Sequence, residues 1–193
     1  MDSIKPGELE KLVAAGRRMY EGGLATGATG AMGVRLADGG VAVTAAGTRI
    51  GFLARADLLV MNGSGPNLSN GRKPGKEAGI IRAVLGAQAE AGSVVKVNSP
   101  YATALAHKGP RVLERSSELL EDLGGVAYVP YFRPGTAGLA GAVAEAMRSN
   151  RVAIIEGQGA IVSGSDIDDA IDRAESLEAA ARVIFILIGS NGA

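Results

Sequence analysis

Val94-Val95-Lys96-Val97-Asn98-Ser99-Pro100-Tyr101-Ala102-Thr103-Ala104-Leu105 reads as a short buried strand running directly into a helix. Ser99 suits the cap position, and Pro100 suits the first helical position because its fixed φ fits there and its missing N–H would be unpaired anyway. Side chains alternate across a strand, so Lys96 and Asn98 share one face while Val95 and Val97 share the other. Two polar groups side by side on an otherwise apolar strand mark a candidate site.

Working outward, the 193 residues fit one domain spanning 1–193, large enough to bury a core without a disulfide or structural metal. Hydrophobic residues at 47% and charged ones at 21% exclude a disordered chain. Lys+Arg and Asp+Glu both number 20, so no broad attraction to nucleic acid or anionic membrane is expected. Aromatics at 4% leave few stacking platforms for single strands. The absence of cysteine excludes thiolate metal sites and cysteine nucleophiles. The N-terminus Met1-Asp2-Ser3-Ile4-Lys5-Pro6 carries no apolar signal core, and no apolar run reaches the roughly 20 residues of a membrane span, so a cytoplasmic location is expected. His107 is the single histidine, expected at an exposed helix end, and one histidine cannot build a His-rich zinc centre.

Along the chain, Glu8 to Glu21 carries a helical apolar stripe ended by Gly22-Gly23. The glycine-rich stretch from Leu24 to Gly33 reads as a loop opening into a strand. Val34-Arg35-Leu36 and Val41 to Thr44 flank Ala37-Asp38-Gly39-Gly40 as a hairpin, and Asp57 to Met61 begins a further strand. Asn62 to Lys76 reads as a long exposed loop, of the kind that is often functional. Helices are predicted over Ala78 to Ala91, Tyr101 to His107, Val112 to Leu123 and after Gly135, with Thr136 as a cap. Val126 to Tyr131 and the two halves of Val152 to Val162 read as strands, and Ser165 or Asp166 caps a long last helix. Val183 to Ile188 is apolar all round, which leaves a subunit contact or a β-type end open.

The opening stretch resembles the segment Val-Val-His-x-His-Ser-Pro-Tyr-Ala-Thr-Ala-Leu of class II aldolases of the fuculose-phosphate/adducin type, where two histidines hold a catalytic zinc. The resemblance continues through Leu24 to Leu36, Val41 to Gly47, Lys73 to Glu77, Pro130 to Thr136, Ile154 to Val162 and Asp166 to Ala181, in the family's order. It implies a three-layer α/β/α fold with a central, mainly antiparallel sheet. It also implies a homotetramer with sites between subunits. At the family's three zinc-histidine positions stand Lys96, Asn98 and Gln158; Glu77 stands where the resemblance implies the proton-abstracting carboxylate.

An ammonium has no lone pair, and Asn and Gln carbonyls are weak ligands for zinc, so no metal and no cofactor are expected. A hard cation on Glu77, Asn98 and Gln158 oxygens would be repelled by Lys96. Lys96 has two readings: a buried amine with a lowered pKa that attacks a carbonyl, or a counter-charge to Glu77, which is the simpler of the two. The resemblance implies a phosphate pocket at Thr29, Gly30, Thr44, Gly47, Gly75 and Lys76, although the family's asparagine is replaced by Ala31 and its two serines by Gly75 and Lys76. Small residues let backbone N–H groups face an anion, and Lys76 adds charge. Tyr131 falls on the family's Pro-Tyr corner, where a structural role is expected. The region 111–117 lacks the tyrosine acid that family aldolases often place there.

The expected activity is therefore carbon–carbon lyase chemistry of aldolase type on a small phosphorylated or carboxylated carbonyl compound, without zinc. The alternative is a non-catalytic, adducin-like binding or assembly module.

Overall fold

The computed structural model describes residues 4–62, 65–66, 71–110, 120 and 123–190. The helices are α1 (Pro6–Glu21), α2 (Ala78–Ala87), α3 (Pro100–Ala106), α4 (Ala137–Ala146) and α5 (Ile167–Ser190). The strands are β1 (Ala31–Arg35), β2 (Val41–Thr44), β3 (Leu58–Asn62), β4 (Gly65–Pro66), β5 (Ser93–Val97), β6 (Val126–Val129), β7 (Val152–Ile155) and β8 (Gly159–Gly164). They form one sheet in the order β4-β3-β2-β1-β5-β8-β7-β6. Every pairing is antiparallel except β6 with β7.

β5 lies mid-sheet, so all five of its residues are buried. Its alternation sorts the two cores. Val95 and Val97 pack with Met19 of α1, Leu105 of α3 and Ile171 and Leu177 of α5. Val94 joins the opposite cluster, with Ile81 and Val84 of α2 and Leu139 and Val143 of α4. The result is the α/β/α sandwich the sequence resemblance implies, with Lys96 on the α2/α4 face.

Local chemistry explains most of the boundaries. Asp38 Oδ1 accepts from the Gly40 N–H at 2.9 Å and closes the β1–β2 hairpin. Thr136 Oγ1 accepts from the Leu139 N–H at 3.3 Å, and Asp166 Oδ1 from the Asp169 N–H at 2.9 Å, as caps of α4 and α5. The Arg35 guanidinium donates to the carbonyls of Leu85, Gln88 and Ala91 and satisfies the C-terminal end of α2. That helix consequently ends at Ala87 rather than Ala91.

Other expectations need correction. β1 begins at Ala31, three residues earlier than the hydrophobic pattern suggests, because Ala31 and Met32 pair with Lys96 and Val95 of β5. Ser99 occupies the N-cap of α3, but its buried hydroxyl finds no partner among the described residues. The cap comes from α5 instead: Glu178 accepts from the Tyr101 N–H at 3.0 Å and the Ala102 N–H at 2.8 Å. Replacing Glu178 with alanine removes two charge-assisted hydrogen bonds and is expected to destabilise the fold by about 2 kcal/mol. Urea unfolding checks this, and an unchanged midpoint would refute the cap.

The β-type end for 183–188 is overturned. Helix α5 continues through it, since its alanine-rich middle propagates helix. Val183, Phe185, Ile186 and Leu187 face solvent while Ile184 is buried. The helix expected over Val112 to Leu123 lies outside the described residues, apart from Leu120 and Leu123, as does most of the loop between Asn62 and Gly71. Among the described residues no helix is long and apolar enough to cross a membrane.

Candidate functional site

An open cavity of about 360 Å³ lies where β5, the loop before β1, the turn after β2 and the start of α2 meet. Its chemistry comes from Lys96, Glu77, Lys76 and Asn98; its walls include Thr29, Gly30, Thr44, Gly47, Thr48 and Gly75. The volume suits a small ligand.

Lys96 is 6% exposed, and its Nζ donates to Asn98 Oδ1 at 2.5 Å. Asn98 is held in turn, its Nδ2 donating to the Gln158 carbonyl at 3.1 Å and its N–H to the Leu24 carbonyl at 2.9 Å. The Gln158 side chain turns away, donating through Nε2 to the Phe132 carbonyl at 2.7 Å. Lys96 and Asn98 thus meet in the cavity, whereas Gln158 is outside its lining and acts as a brace through its backbone. The close approach depends on Gly159, where φ is +86° and a Cβ would sit 2.2 Å from the Val97 carbonyl oxygen.

Glu77 occupies the N-cap of α2 without capping it. Its side chain is only 14% exposed, its closest cation is Lys76 Nζ at 4.0 Å, and its carboxylate accepts no hydrogen bond from the described residues. Glu77 and Lys96 line one cavity without forming an ion pair. The counter-charge reading therefore lacks its direct contact. Burial pushes the Lys96 amine down to about 8, Glu77 working against the fall and Lys76 adding to it.

The cavity's other wall is glycine-rich and tied down locally. Thr29 Oγ1 donates to the Thr26 carbonyl at 2.7 Å and accepts from the Thr26 N–H at 2.9 Å; Thr44 Oγ1 accepts from the Met32 N–H at 3.2 Å. Both hydroxyls therefore shape the loops. The N–H groups of Gly30, Gly47 and Lys76 have no acceptor among the described residues. Gly30 has φ +82°, and a Cβ there would lie 2.7 Å from Ala25 Cβ.

Sequence reasoning missed Arg72, which pairs with Asp57 and donates to the Ala46 carbonyl at 3.0 Å and Thr48 Oγ1 at 3.5 Å, bracing the turn after β2. No sequence motif flags it, because its partners lie far along the chain. His107 is exposed at the end of α3, as expected. Tyr131 is 61% exposed in the single chain, and its N–H donates to Glu156 at 3.2 Å.

The model of the class II aldolase and adducin N-terminal domain matches residues 10–185. The chain belongs to that family. The 3-oxo-tetronate 4-phosphate decarboxylase of Haemophilus influenzae is 32% identical over 185 residues, covering 93% of this chain and 88% of the relative. The 5-deoxy-D-ribulose 1-phosphate aldolase of Bacillus thuringiensis serovar kurstaki is 28% identical, covering 92% of this chain and 84% of that protein. Among solved structures, YgbL from Klebsiella pneumoniae superposes with a TM-score of 0.79 at 30% identity, over 94% of this chain and 90% of that one. This class II aldolase-family chain therefore has relatives named as lyases of phosphorylated sugar compounds, and its cavity gathers a cation, a carboxylate and spare backbone donors.

Proposed function

We propose that this chain is a carbon–carbon lyase that cleaves a small phosphorylated carbonyl compound, and that it does so without zinc. One observation carries the reading: the Lys96 amine and the Glu77 carboxylate share a cavity with glycine-rich loops whose N–H groups are unspent. Gly30, Gly47 and Lys76 would hold the phosphate, with the Lys76 ammonium adding charge. Lys96 would meet the carbonyl, and Glu77 would move the proton, as a carboxylate free of hydrogen bonds is able to do. The names of the relatives support a sugar-acid or sugar phosphate as substrate.

The donors at this site do not fit a zinc ion. Lys96 offers a proton rather than a lone pair, its amine occupies Asn98 Oδ1, and the Gln158 amide is committed to Phe132. One of the three positions is the lysine itself, the second accepts its hydrogen bond, and the side chain of the third donates to a backbone carbonyl elsewhere.

The test is cleavage of 3-oxo-tetronate 4-phosphate and of ketose 1-phosphates by chelator-treated protein. Turnover that persists in chelator is expected. Turnover restored only by added zinc would overturn the metal-free part, and no turnover on any substrate would favour a non-catalytic, adducin-like module. A cytoplasmic homotetramer belongs to the same proposal, with the solvent-facing Phe185 and Ile186 of α5 as candidate contact residues. A monomer by sedimentation at micromolar concentration would remove the tetramer, and cell fractionation checks the compartment.

A further inference from the structure

We propose that the Lys96 amine is a covalent nucleophile, forming an imine with the ketone of a phosphorylated 3-oxo acid and carrying its decarboxylation. This rests on the lyase reading above and adds to it the bond-making group and the substrate class.

The geometry of the lysine separates the two roles a buried amine can have. A counter-ion sits on its carboxylate, because a buried charge without a partner is costly. Lys96 sits instead on a neutral acceptor, Asn98 Oδ1, and forms no ion pair with Glu77 although both line the cavity. A neutral partner aims the nitrogen without holding it charged. Asn98 is itself fixed by Gln158 and Leu24, so the amine is positioned from both ends of its hydrogen bond. Burial brings it down to about 8, which leaves about a tenth of it as free base at neutral pH, against well under a thousandth for an ordinary lysine.

The steps balance without any oxidant or metal. The Nζ lone pair adds to the ketone carbon while the C=O π pair moves to oxygen, which takes a proton; the carbinolamine then loses water to give the iminium. The bond to the carboxylate breaks, its electron pair flows into the iminium to form an enamine, and carbon dioxide leaves. Glu77 takes up a proton from solvent and passes it to the enamine carbon, and water hydrolyses the resulting iminium to release the ketone and the free amine. The net reaction is 3-oxo acid plus a proton to ketone plus carbon dioxide.

The charge of the cavity selects this substrate class. Lys76 is a cation in the lining and Lys96 becomes one as the iminium forms, against the single carboxylate of Glu77, and the Gly30 and Gly47 loops add N–H donors. A ligand with an anion at each end matches that pattern, with phosphate on the loops and Lys76 and the carboxylate beside the iminium formed on Lys96.

The experiment is borohydride trapping of the full chain with 3-oxo-tetronate 4-phosphate, read by intact mass and peptide mapping. The expected result is one reduced adduct on the peptide carrying Lys96, formed in step with loss of carbon dioxide release. Lys96→Arg should give neither adduct nor turnover while keeping the far-UV spectrum of the wild type. Carbon dioxide release that borohydride neither stops nor labels overturns the covalent lysine and leaves the lyase reading standing. An adduct only on surface lysines overturns it equally. No release from this substrate together with cleavage of a ketose phosphate overturns the substrate class alone, and no cleavage of either overturns both readings.

Discussion

Lys96→Met abolishes turnover, a loss on the order of 10³-fold or more, and at the same time raises stability by about 1–3 kcal/mol. The first effect follows because methionine fills the same space and cannot add to a carbonyl or carry a positive charge. The second follows because Lys96 is 6% exposed and pairs with a neutral amide, so its charge is desolvated without a matching carboxylate contact. Activity assays and thermal melts on the same preparation read both. A variant that is inactive but less stable than the wild type would mean that Lys96 holds the fold together and that the counter-charge reading was right.

The sign of the pH dependence gives a second check on that variant. The folded amine titrates at about 8, below the ordinary value of 10.5, so folding disfavours its protonated form. The destabilisation is fully present below about pH 8 and disappears as pH rises from there through the unfolded value. The stability gap between Lys96→Met and wild type should therefore be widest at neutral pH and narrow toward pH 10. Wild-type turnover should rise with pH up to about 8 and then level, since only the free base adds to a carbonyl.

Glu77→Gln is the second large effect, an expected loss of about 10²–10⁴-fold in kcat with little change in stability. The amide keeps the shape of the side chain beside Gly75 and Lys76 but can neither take nor return a proton. The Glu77 charge also holds the Lys96 amine up against desolvation, so its removal should move the rising limb of the pH–rate profile to lower pH. A residue that merely filled space would leave that limb in place. Full activity in Glu77→Gln would remove Glu77 from the chemistry.

The fold was largely legible because its signals are local. Apolar periodicity marked α1 and α2, the Ala37-Asp38-Gly39-Gly40 turn marked the hairpin, and Thr136 and Asp166 marked helix starts that the hydrogen bonds bear out. The misreadings arose where a distant residue decided the outcome. Ser99 is a fitting cap by type, yet Glu178, from a helix far along the chain, takes the N–H groups. The six apolar residues at 183–188 carry no one-sided pattern, and they are helical because the preceding turns of α5 propagate into them.

For the site, the sequence by itself determined that Lys96 lies on the opposite face of a buried strand from Val95 and Val97, whereas Asn98, expected on the same strand, lies just past its end at Val97 and still meets Lys96. Which motifs come together followed from the resemblance to class II aldolases, whose motif order the chain keeps. Tertiary structure alone decided what those groups touch. Lys96 chose Asn98 over Glu77, the Gln158 side chain went to Phe132 rather than to the cavity, and Arg72 came to brace a turn whose partners no motif names. The physical reason is that periodicity encodes the direction of a side chain relative to its own backbone. A hydrogen-bond partner is set by distances between segments brought together only when the chain has folded.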